Sequence, residues 1–114
     1  MSERTQQLES LELSINEAKD AVELANSLER LYGNADFKKL ITTGYFVNHA
    51  ADTVAIRAKP AMQSEMLQRV SLEAISAIGH FREYLAVTAA KGAAAARCIE
   101  SDEETRAAIY AEGE

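Results

Sequence analysis

Ser64 to Tyr110 reads SEMLQRVSLEAISAIGHFREYLAVTAAKGAAAARCIESDEETRAAIY. The stretch contains no proline, and its only glycines are Gly79 and Gly92. Leu67, Val70, Ala74, Ala77 with Ile78, Phe81, Leu85, Thr88, Gly92, Ala95 and Ile99 recur at spacings of three and four. That rhythm gathers them on one stripe of a helix. At 1.5 Å per residue, a helix of roughly 45 residues measures about 65–70 Å. A compact chain of this size is only about 26 Å across. The helix therefore needs a partner along its length, from this chain or from copies of it.

Within that stretch, Ala86 to Ala96 has almost no side chain to bury. Alanine is the best helix former, so the run is helical, yet it gains little from ordinary core packing. Small residues do allow two backbones to approach closely. This predicts a tight helix–helix seam, between protomers or against the N-terminal helix; a merely stable exposed helix fits the same residues. The acids Asp102, Glu103 and Glu104 predict that the helix frays or breaks at Ser101 before a last turn through Ile109 and Tyr110.

Working outward, Thr5 to Tyr32 reads as a second amphipathic helix. Leu8, Leu11, Ile15, Ala18, Val22 and Ala25 keep a 3-4-3-4-3 rhythm over almost three heptads. The stripe then slips to Leu28, Leu31 and Tyr32, because Glu29 takes the next heptad position. Gly33 and Asn34 end the helix, glycine here suiting a left-handed cap. The middle reads as two short helices, 36–43 and 45–58. Asp36 caps the first, Thr42-Thr43-Gly44 separates them, and Lys59-Pro60 closes the second, since a residue before proline is pushed out of helical geometry. Phe46, Ala50 and Val54 face inward. Pro60 and Ser64 suit the start of the long last helix, 62–100 or on to 111, with Ser64 as its N-cap.

One hundred and fourteen residues allow one domain, 1–114. Only 6% are aromatic and none is tryptophan, so the core is thin and long. A formal charge of −6 argues against a nucleic-acid binder, whose affinity rests on neutralising phosphates. It argues equally against attachment to an anionic membrane. No stretch approaches the roughly 18 apolar residues of a membrane span, and the polar, acidic N-terminus lacks a signal-peptide core. The expected location is a soluble, reducing compartment. Cys98 is the only cysteine and cannot form an internal disulfide; it reads as a small apolar residue on a helix.

The charge is uneven. The segment 33–63 carries Asp36 and Asp52 against Lys38, Lys39, Arg57 and Lys59, a locally basic middle between two acidic arms. With Tyr45, Phe46 and His49 nearby, Lys38, Lys39 and Arg57 could grip an anionic aromatic molecule such as a nucleotide. The plainer reading makes Tyr45 and Phe46 core and the cations solubilising.

Catalytic and metal signatures are missing. Di-metal bundles use Glu-x-x-His from two helices, but Phe46 precedes His49 by three and Ala77 precedes His80 by three. There is no G-x-S-x-G, no phosphate-binding glycine loop, and no histidine near Cys98 on its own helix. No metal or cofactor is expected, and the chain reads as a non-enzyme.

Asn34-Ala35-Asp36-Phe37-Lys38-Lys39-Leu40-Ile41-Thr42-Thr43-Gly44-Tyr45-Phe46 and Ala77-Ile78-Gly79-His80-Phe81-Arg82-Glu83-Tyr84-Leu85 resemble small helical proteins encoded by tailed bacteriophages. There, a "DFK-x-hydrophobic-Ile-x-x-Gly-Tyr-Phe" segment follows an N-terminal helix. An "Ala-Ile-x-x-Phe-x-x-Phe/Tyr-Leu" segment comes after a proline-containing turn. The resemblance spans about half the chain, from Asn34 to Ala96. It implies a phage origin and a helical oligomer in the host cytoplasm or on the particle, and it carries over no activity and no functional residue.

The expectation is thus an all-α protein, a helical hairpin of a long N-terminal and a longer C-terminal helix with two short helices between, assembling through helix faces. Leu67, Val70, Phe81, Leu85, Gly92, Ala93 and Ala96 are the expected interface of a homo-oligomer. The leading functional reading is a non-enzymatic interaction protein of a phage, in particle assembly or as an accessory factor with a phage or host protein partner. The alternative is a counter-defence protein that sequesters a host nucleotide signal at Lys38, Lys39, Tyr45, His49 and Arg57, or blocks a host effector.

Overall fold

The computed structural model describes residues 2–113, and every regular element in that range is helical. The elements are α1 (Glu3–Tyr32), α2 (Ala35–Phe37), a π-helical segment (Lys38–His49), α3 (Ala50–Arg57), a 3₁₀ turn (Pro60–Met62) and α4 (Glu65–Glu112). A long N-terminal helix packs against a longer C-terminal one, with shorter helical pieces between. The chain divides into two compact units, one formed by the residues up to Leu28 with those from Thr88 onward, the other by Glu29–Val87.

The first unit is an antiparallel helix pair. Ser2 caps α1, its hydroxyl accepting from the Thr5 N–H at 3.1 Å. The α1 stripe faces α4: Ile15 is 1% exposed and Leu28 5%, while Leu8, Leu11, Ala18, Val22 and Ala25 are half-buried. On α4 the covered positions are Thr88, Gly92, Ala95, Ile99, Asp102, Arg106 and Ile109, an unbroken alternation of three and four. The helices approach closely at Gly92, where a Cβ would run into the Ala25 methyl and stand 3.4 Å from the Ala21 carbonyl oxygen. Within the alanine-rich stretch Thr88, Gly92 and Ala95 are covered, while Ala86, Ala89, Ala90, Ala93, Ala94 and Ala96 are exposed. α4 runs through Ser101 without the expected break. Asp102 turns inward instead, its carboxylate accepting the Ser14 hydroxyl at 2.8 Å.

The second unit packs residues 35–57 antiparallel to the first part of α4. Asn34, in extended conformation, ends the α1 connection and caps α2; its side-chain oxygen accepts from the Phe37 N–H at 2.9 Å. Asn34 therefore does the capping expected of Asp36. Neither Gly33 nor any other described residue has positive φ, so the left-handed cap expected there does not form.

No break occurs at Thr42-Thr43-Gly44. Phe37, Lys38, His49 and Ala50 all have right-handed helical backbone, and the helical run is continuous from Ala35 to Arg57. Its inward residues explain the π geometry. Phe37, Ile41 with Thr42, Tyr45 with Phe46, and Ala50 are the half-buried positions. They recur every four to five residues, too far apart to share one face of an α-helix but suited to the wider i→i+5 turn. A Cβ at Gly44 would stand only 2.6 Å from the Lys39 carbonyl oxygen, five residues back. Glycine is here the residue that lets the wide turn close.

Side-chain amides secure the turn into α4. The Arg57 carbonyl, at the end of α3, has no helix N–H to accept from, while that of Lys59 already accepts the Met62 N–H at 3.0 Å. Gln63 donates to both, at 2.8 and 2.9 Å, and Gln68 donates to the Arg57 and Met62 carbonyls at 2.9 and 2.8 Å. Lys59 is extended before Pro60, and Ser64 caps α4 by accepting from the Leu67 N–H at 3.2 Å.

Candidate functional site

In the second unit α4 turns inward a face shifted around the helix from the one its spacing suggests. Val70, Ala74 and Ala77 were expected to be covered. They are exposed; Leu67, Ile78 and Leu85 of the same stripe are covered as expected, together with Gln68, Ser71 and Ile75 from the neighbouring face. Two features fix that choice. Arg57 Nε donates to the Ser71 hydroxyl at 3.0 Å, and that hydroxyl donates to the Gln68 carbonyl at 3.0 Å. Further along, the Tyr45 and Phe46 rings meet Phe81 with centroids 6.2 and 5.4 Å apart, distances at which aromatic pairs attract beyond their area burial.

The consequence is an uncovered apolar stripe. Met66 is 60% exposed, Val70 54%, Tyr84 58% and Phe81 36%, with Ala74 and Ala77 exposed between them. Their spacings of three and four place all six on one face of α4. Large apolar side chains in such a row differ from the singly scattered ones normal on protein surfaces.

The expected anion-binding patch does not assemble. Lys38 and Lys39 are exposed at the start of the π segment. Arg57 lies eighteen residues beyond Lys39 on the same helical run, on the order of 25 Å away, and is turned onto Ser71. Tyr45 is half-buried and stacks on exposed His49 with centroids 5.7 Å apart and planes 13° from parallel. The rings thus form a local cluster around Phe81 to which the cations contribute nothing. A small recess of about 230 Å³ lies beside it, lined by Tyr32, Thr42, Phe46, Val47 and Arg82, none of them an expected ligand residue except through the neighbouring Phe46.

The expected oligomer interface divides in two. Leu85 and Gly92 are buried, and Leu67 half-buried, within the chain, so the first two are not available to a second copy. Val70, Ala93 and Ala96 are exposed, and Phe81 sits at the border between the ring cluster and solvent. Sequence reasoning missed Met66 and Tyr84; their spacing from Val70 and Phe81 was visible, but an equally good stripe one residue away masked it.

In the first unit an open groove of about 530 Å³ runs between Glu3, Gln6, Gln7, Ser10 and Leu11 on α1 and Thr105 and Ile109 on α4. Exposed Cys98 has its sulfur 3.7 Å from the Asp102 carboxylate. Among the described residues, no three His, Cys, Asp or Glu side chains gather to hold a metal ion, and no helix is long and apolar enough to cross a membrane. No family model, curated protein or solved structure matches this chain.

Proposed function

We propose that this is a non-enzymatic helical interaction protein that works by self-association. The observation that carries the reading is the exposed row Met66, Val70, Ala74, Ala77, Phe81 and Tyr84. Apolar area of this kind in a row is stabilised by removal from water, at about 25 cal/mol per Å².

The phage setting rests on the resemblance of 34–46 and 77–85 to small helical proteins of tailed bacteriophages. Those two segments meet in the fold, Tyr45 and Phe46 of the first touching Phe81 of the second. That contact gives the shared residues a common structural reason. In a phage, such a protein serves particle assembly or acts as an accessory factor in the host cytoplasm.

Native mass spectrometry of the untagged protein tests the self-association. A clean multiple of 12.5 kDa is expected, falling to the monomer in Val70→Glu with helicity unchanged. A wild-type monomer would overturn the reading. Added mass of a few hundred daltons per chain would favour ligand sequestration instead. Presence in gradient-purified particles separates an assembly role from an accessory one.

A further inference from the structure

The uncovered stripe has an internal symmetry that names its occupant. Read along α4 it runs Met66, Val70, Ala74, then Ala77, Phe81, Tyr84: large, large, small, small, large, large. A helix with that order is complementary to itself when the second helix runs the opposite way. Ala74 then faces Ala77, Val70 faces Phe81, and Met66 faces Tyr84. Small residues at the centre let the backbones approach, as Gly92 and Ala25 do in the α1–α4 pair. The flanking charges agree. Arg69 and Glu83, both exposed, lie at similar distances from the centre, so reversal brings Arg69 to Glu83 of the second copy.

Residues 35–57 pack on the adjacent face through Ser71 and reach the stripe only at its edge, where Tyr45 and Phe46 meet Phe81.

We infer that two copies pair antiparallel through residues 66–84 of α4, about a two-fold axis between Ala74 and Ala77. Such an interface is isologous, each residue meeting its counterpart twice. The inference rests on the self-association reading and adds its geometry.

Disulfide trapping tests it. In a Cys98→Ser background, chains carrying Met66→Cys and differently tagged chains carrying Tyr84→Cys are mixed and oxidised, with Leu72→Cys as a control on another face of the helix. The mixed 66–84 cross-link is expected to dominate, because antiparallel pairing separates the two copies of position 66 by about 27 Å. Arg69→Glu is expected to weaken the dimer several-fold, and Glu83→Arg in the same chain to restore it. Predominant 66–66 and 84–84 cross-links would overturn the antiparallel order. A native dimer whose 66–84 cross-linking does not exceed the Leu72→Cys level would overturn this interface while leaving self-association standing. A native monomer would overturn both and assign the stripe to a foreign protein partner.

Discussion

Residues 66–84 and 88–109 of α4 carry the same apolar rhythm and meet opposite fates. From Thr88 onward the row is sealed against α1, with Gly92 drawn up to Ala25 and Ile15 almost wholly buried. From Met66 to Tyr84 the row faces water, and the helix instead packs through Ser71, Ile75, Ile78 and Leu85. The difference shows that spacing identifies a face able to pack without choosing what packs on it. In the first unit small residues on both helices, Gly92 and Ala25, let one face close. In the second, a hydrogen bond at Arg57 and rings at Tyr45 and Phe46 pull a neighbouring face inward.

The sharpest way to break this contrast is to delete matching bulk on both sides of it. Ile15→Ala removes a 1% exposed side chain and should cost about 2–5 kcal/mol through lost transfer energy and the cavity left behind. Val70→Ala, 54% exposed, should stay within about 0.5 kcal/mol when unfolding is followed by urea at concentrations where the protein is monomeric. Comparable losses would mean that the exposed stripe is covered within the chain after all.

A somewhat smaller effect is expected at the close approach. Gly92→Leu drives a side chain into Ala25 and should lower stability by about 1–3 kcal/mol through overpacking. Ala93→Leu, one position on and exposed, should be nearly neutral in the same denaturation experiment. Equal effects would place the seam elsewhere. This also moves an expectation made from the alanine run, in which Ala93 belonged to the seam; the contact is at Gly92, within the chain.

The mildest test concerns the helix that holds the second unit's chosen face. Gly44→Ala puts a methyl against the Lys39 carbonyl, and should cost about 1 kcal/mol even though alanine is the better helix former. The gain in propensity and the clash oppose each other, and the clash is with backbone, which cannot swing aside. The readout is the urea midpoint together with quenching or chemical-shift change at Tyr45. A stabilised variant would mean that 38–49 readily relaxes to an α-helix.

Much of the architecture was legible because it depends on local chemistry. The α1 stripe from Leu8 to Ala25 and the Ser64 cap follow from residues within a few positions of one another. The Gly44 region was misread for an instructive reason. Thr-Thr-Gly resembles a helix stop, and only the spacing of Phe37, Ile41, Tyr45, Phe46 and Ala50 betrays a wider helix. A search for periods of three and four passes over a period between four and five. The expected ligand patch failed on distance, since Lys39 and Arg57 are neighbours in composition but not along a helix.

The sequence by itself determined that the chain is helical, that α1 and α4 carry amphipathic stripes, and that Lys59-Pro60 and the Ser64 cap separate the middle from α4. Those are short-range effects, set by backbone propensity and by residues one or two turns apart. Only the tertiary structure decided which of two adjacent α4 faces is buried in the second unit. It also decided that Arg57 serves Ser71 rather than an anion, and that Gly92 is spent on Ala25. Each of those outcomes is a competition between partners distant in sequence, and its winner is set by which side chains can meet in space.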